Sequence, residues 1–211
     1  MVPYRFLLLL LATIYCSTNA TSNGEIKKHR LEQLTQEAYE ETGGRSAKIS
    51  LSTEEYRRLL LEDPRPYHAF VLITAPGAVC DVCGPIGEAF DKAAMSHYMA
   101  GAVGESDEDE EPVFFVEMNA FHNRDLQRLH GFKSVPHLVH LHEGSKLKYK
   151  KSLREYQIAS SEIYHQTKLE PPVGEILDWM NIKTGKHVEA YTTKQERVME
   201  LTLAFLSMGE N

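Results

Sequence analysis

Two cysteines, Cys80 and Cys83, stand two residues apart in the stretch Val79-Cys80-Asp81-Val82-Cys83-Gly84-Pro85. Three chemistries use such a pair: a structural staple, half of a metal site, or a thiol couple that exchanges disulfides. A disulfide closing so small a loop removes little freedom from the unfolded chain, which makes the staple reading weak. The apolar run Ala69-Phe70-Val71-Leu72-Ile73-Thr74 enters the pair, and a helix-like segment leaves it. A Cys-x-x-Cys between a buried strand and a helix is the context of redox work. The unpaired N–H groups and partial positive charge of a helix start favour thiolate, which is the attacking species. On this reading Cys80 is the exposed nucleophile and Cys83 the resolving thiol, inside the helix. Asp81 opposes a second negative charge nearby, so the thiol is expected to be reactive without being extreme.

The metal reading draws on Cys80, Cys83, His137, His140 and His142, which together offer two sulfurs and ring nitrogens. Zinc needs neutral imidazoles in a closed tetrahedral arrangement, and His140 and His142 do share one face of a strand. Histidines in partly buried strands more often pack than ligate, and ten are scattered along this chain. The sequence therefore leads to the expectation of no metal and no cofactor.

At 211 residues the chain suits one well-cored domain with extensions. Its net charge of −7 argues against nucleic acid as a partner. The N-terminus places Arg5 before the apolar run Phe6 to Ile14 and the small residues Ser17 to Ala20, the pattern of a secretory signal peptide over residues 1–20. That run falls short of the ~20 apolar residues of a spanning helix. Cleavage would split the sequon Asn19-Ala20-Thr21 and remove Cys16. It would leave Cys80 and Cys83 as the only cysteines, in an oxidising compartment where a disulfide persists.

The elements that must position the pair are legible as alternating helices and strands. A helix is expected over Glu25 to Glu41, with Leu31, Leu34 and Ala38 inward, ended by Gly43-Gly44. A strand over Ala47 to Leu51 leads into a capping box, Ser52 to Glu55, that opens a helix stopping before Pro64. Tyr67 to Thr74 reads as a strand buried on both faces, and Pro85 to Tyr98 as the helix after the cysteines. Residues 104–111 form an acidic, solvated insertion. Val113 to Asn119 is a further strand and Arg124 to Gly131 a short helix. His137 to His142 is expected to form a hairpin with Lys146 to Lys150, and Val173 to Lys183 the last helix. Core aromatics such as Phe90 and Trp179 belong to packing. The fold class expected is α/β, a mixed central sheet flanked by helices with an extra N-terminal helix.

Val135-Pro136, at the mouth of a strand some fifty residues after the cysteines, resembles the cis-proline loop of thioredoxin-like folds. There the backbone before the proline faces the sulfurs and pairs with an extended peptide. With Leu31-Glu32-Gln33-Leu34, Pro64-Arg65-Pro66-Tyr67, Glu88-Ala89-Phe90 and Trp179-Met180 in this order behind a signal peptide, the chain resembles a known family. It is similar to the lumenal thioredoxin-like domain of the gamma-type subunits of the oligosaccharyltransferase complex, the magnesium-transporter-protein-1-like group. The resemblance spans residues 27–194, and the domain is placed at 21–194.

The resemblance implies location in the endoplasmic reticulum lumen. It implies that Cys80 forms transient mixed disulfides with nascent cysteine-containing polypeptides, so that nearby asparagines are glycosylated before they are buried. Val135, Pro136, Asp81 and Val82 would contact the peptide, beside an apolar groove. Sugar transfer would belong to another subunit, which makes this chain an accessory oxidoreductase. Two alternatives are a passive peptide-binding module and a general secretory-pathway oxidoreductase. Family members continue into four membrane helices. Leu201 to Met208 is too short to span, so residues 195–211 read as a short tail, and docking to the other subunits of the complex would need a membrane region.

Overall fold

The computed structural model describes residues 4–103, 111–121, 123–145 and 147–193, with side chains from Asn23 onward except those of residues 102, 103, 124 and 127. The acidic insertion up to residue 110, the tail 195–211 and the side chains of the leader lie outside that range. Helix α1 (Tyr4–Glu41) is followed by β1 (Ile49–Ser50), α2 (Thr53–Tyr56), which continues as a π-helical turn to Leu61, and β2 (His68–Thr74). Then come α3 (Cys83–Val103), β3 (Val113–Asn119), α4 (Arg124–His130), β4 (His137–Leu141), β5 (Lys148–Lys150), β6 (Glu155–Gln157) and α5 (Val173–Thr184). The main sheet has the order β1-β3-β2-β4, with β4 alone antiparallel. It is a mixed sheet in a thioredoxin-like arrangement, with the extra helix at its N-terminal end.

Local signals act as their chemistry requires. Ser52 accepts from the Glu55 amide while the Glu55 carboxylate accepts from the Ser52 amide, which closes the capping box. Gly43 and Gly44 end α1 at positive φ, which glycine adopts without steric conflict.

β2 alternates between two cores. Ala69, Val71 and Ile73 face Leu31 of α1, Tyr56, Leu59 and Leu60 of the α2 region, and Leu126 of α4. Phe70 and Leu72 face Ile86 and Phe90 of α3 and Ile176 and Met180 of α5. Each such fully buried side chain contributes roughly 1.5–3 kcal/mol. Because both faces are covered, β2 is rigid up to Thr74, which is where the cysteine turn begins.

The expected hairpin between His137–His142 and Lys146–Lys150 does not form. β4 pairs with β2, and its other edge is held by an antiparallel bridge from Val139 to Ile163, with the Tyr164 amide donating to the Leu138 carbonyl. The 142–145 turn is instead held by Arg65. This guanidinium is 1% exposed. It donates to the carbonyls of Leu61, His142 and Ser145 at 3.1, 3.2 and 3.0 Å. β5 pairs with β6 in a separate, exposed ribbon.

Two buried imidazoles make this core acid-sensitive. His130 accepts from the Tyr56 hydroxyl and donates to the Tyr156 carbonyl, and His97 packs on Phe70 and Phe115. His97 Nε2 has no hydrogen-bond partner among the described residues. Burial lowers both to about 4. The unfolded chain takes up these protons below the ordinary value near 6.5 and the fold does not, so stability is whole above pH ~6.5 and falls as pH drops towards 4. Each imidazole contributes at most about 3 kcal/mol over that window. Urea unfolding at pH 7 and pH 4.5 should show the loss, and His97→Leu should make it shallower.

A disulfide where strand meets helix

β2 ends at Thr74 and the chain turns through Gly77–Val79 before α3 begins at Cys83. Cys80 therefore sits just outside the helix start and Cys83 in its first turn, with the Cys83 amide donating to the Cys80 carbonyl at 3.0 Å. Their sulfurs form a disulfide, S–S 2.02 Å. Cys83 is 3% exposed and packs under the turn, whereas Cys80 is partly open to solvent. The expected helix start at Pro85 moves back two residues to Cys83, since the cysteine turn itself supplies the first helical residues.

The remaining predicted residues gather in part. Cys80 Sγ lies 4.0 Å from the carbonyl oxygen of Val135. The Val135–Pro136 bond is cis, and β4 starts at the next residue, His137. Asp81 is exposed and Val82 half-buried, both on the turn between the sulfurs. Val79, just ahead of Cys80, is also exposed. A partly exposed Cys80, its buried partner Cys83 and the Val135 carbonyl thus lie together.

The family model described as OST3 / OST6 family, transporter family, matches residues 33–209. The chain belongs to that family. No curated protein matches the sequence. Among solved structures, a zinc-bound form of human ERp44 is similar at 16% identity and a TM-score of 0.44, over 64% of this chain and 30% of that one. The Trx4 domain of ERdj5 is similar at 15% identity and 0.40, over 65% and 96%. The chain thus spans less than a third of the ERp44 chain. Among the described residues of this OST3 / OST6 family member, no helix is long and apolar enough to cross a membrane.

The metal set considered from sequence does not assemble. The cysteines are bonded to each other, and strand alternation puts His137 on the opposite face of β4 from His140 and His142. His137 stacks on Phe132, ring centroids 3.9 Å apart. Sequence reasoning missed a different cluster at the other end of the sheet. His68, His140 and His142 stack with centroids 4.9–5.8 Å apart, beside Glu162. The shared face of His140 and His142 was visible from alternation. Their meeting with His68 depends on the β2–β4 register, for which the sequence carries no local signal.

Proposed function

We propose that Cys80 and Cys83 are a working thiol–disulfide couple that tethers nascent cysteine-containing polypeptides for an oligosaccharyltransferase in the endoplasmic reticulum lumen. The reading starts from a mature chain that begins after residue 20 and folds as one thioredoxin-like domain over residues 21–194. The observation that carries it is the asymmetry of the pair, a partly exposed Cys80 beside the Val135 carbonyl and a Cys83 buried at the helix start.

A thiolate of the client attacks Cys80 Sγ and forms the new S–S bond. The Cys80–Cys83 bond breaks, and its electron pair leaves on Cys83. The helix N-terminus stabilises that thiolate. Return attack by Cys83 on Cys80 releases the client as a thiol and restores the disulfide, with no net oxidation. The exposed edge around Val135, Pro136, Asp81 and Val82 would hold the client backbone in extended form. Family membership supports the link to the complex. Sugar transfer itself is assigned to another subunit, and the tether acts by delaying burial of the acceptor asparagine.

The test is site occupancy in cells carrying only the Cys80→Ser/Cys83→Ser chain. Acceptor sites close to disulfide-forming cysteines should lose occupancy, while sites in cysteine-free clients should not. Equal occupancy at both classes would overturn the tether and leave a passive peptide-binding module.

A further inference from the structure

A second cluster lies away from the cysteines. His68 and Thr74 are the two ends of β2, so at ~3.3 Å per residue the cluster stands some ~20 Å from the cysteine turn. Here Glu111, His68, His140 and Glu162 form a chain of contacts. Glu111 Oε2 is 3.2 Å from His68 Nε2, His68 Nδ1 is 2.9 Å from His140 Nε2, and His140 Nδ1 is 2.8 Å from Glu162 Oε2. His140 is 1% exposed and is roofed by Trp179 and Phe70. Glu162 is largely covered, and Lys183 Nζ reaches it at 3.3 Å.

Two of these contacts are hydrogen bonds, His68 to His140 and His140 to Glu162, and two neutral imidazoles, each with one N–H, supply them. Glu111 stands at ion-pair distance from His68, and Lys183 adds its charge to Glu162.

We propose that His140, His142 and Glu162 are ligands for a divalent transition-metal ion of the zinc class, with His68 and Glu111 as the outer hydrogen-bonding shell. One ligand atom from each of the three lies within 4.8 Å of the others, a spacing that a small inward shift brings around one ion. Imidazole nitrogen and carboxylate oxygen are the donors zinc accepts, and a fourth position stays open to water. The metal takes the lone pair of His140 Nδ1 and one carboxylate oxygen of Glu162. His140 Nε2–H then donates to His68 Nδ1, and His68 Nε2–H donates to Glu111. Both ring N–H groups thus keep an acceptor after the metal has taken the Nδ1 lone pair. Such outer partners fix the tautomer and orientation of a ligating histidine. His142 gives up its present partner, the Gly144 amide at 3.1 Å, by turning its ring while Arg65 holds the backbone, and the freed amide belongs to an exposed residue.

The proposal does not involve the sulfurs, so the test uses the mature chain from residue 21 on, with Cys80 and Cys83 oxidised and thiols absent by titration. Zinc chloride is titrated against a chromophoric chelator, and cobalt(II) is added separately to read its ligand-field bands. One equivalent of zinc should bind. His142→Ala, at a partly exposed position, and Glu162→Gln should each weaken it by at least about tenfold. Lys183→Met should tighten binding by removing a competing cation. No retained zinc in the oxidised wild-type chain would overturn the site. Unchanged affinity in the folded His142→Ala protein would do the same, with folding checked by circular dichroism.

Discussion

Cys83→Ser should convert the chain into a trap. In the variant the Cys80 thiolate attacks a client disulfide and displaces one client thiolate, and the resulting mixed disulfide lacks the neighbouring Cys83 thiolate that would release it. Return attack by Cys83 needs no diffusion, since its sulfur already stands at bonding distance from Cys80. Well-oriented intramolecular attack outpaces the bimolecular reaction by large factors, so the mixed disulfide should outlive that of the wild type by about 10²-fold or more. Non-reducing electrophoresis after rapid alkylation should show a ladder of adducts that collapses on reduction. The ladder should be absent in Cys80→Ser, because the remaining Cys83 is enclosed. A Cys83→Ser chain that runs as free monomer alone would show that clients never reach Cys80.

The largest effect on stability is expected at Arg65. Its guanidinium is buried and satisfies three carbonyls from two segments that are distant in sequence, Leu61 on one side and His142 and Ser145 on the other. Arg65→Met removes the buried charge and three hydrogen bonds at once; the His142 and Ser145 carbonyls each keep one donor, the Ser145 and Leu147 amides, so the cost is that of the lost charge-assisted bonds, about 3–5 kcal/mol. The ion pair with Asp63 adds little, because that carboxylate is 78% exposed. Arg65→Lys should recover only part of the loss, since one compact ammonium cannot span the fork of acceptors. Urea midpoints of the three proteins measure the series. A loss under ~1 kcal/mol for Arg65→Met would mean that the 142–145 turn is held by other contacts.

Much of the scaffold was legible because its signals are local. The apolar run Ala69 to Thr74, the Ser52–Glu55 box and the glycines after α1 and α4 each act within a few residues, and each appears where the pattern put it. The position of Val135 beside Cys80 was legible only through the resemblance, since nothing local joins residues so far apart. The hairpin after β4 was misread for the same reason. Lys146 to Lys150 alternates like a partner strand, but the edge it would fill is occupied by Ile163, and the turn is fastened by an arginine eighty residues earlier in the chain. The histidine cluster escaped because His68 and Glu162 reach the already noted His140 and His142 only through the register of two strands and a bridge.

The bridge at Ile163 has a further effect on how this protein keeps company with unfolded chains. Any sheet offers a row of unpaired amides at its rim, and extended polypeptides readily add to such a row. On one side the rim is the two-residue β1, too brief to template a stranger, and on the other Ile163 and Tyr164 already occupy the place a stranger would take. Among the described residues, an extended polypeptide therefore finds neither flank of this sheet open to pairing.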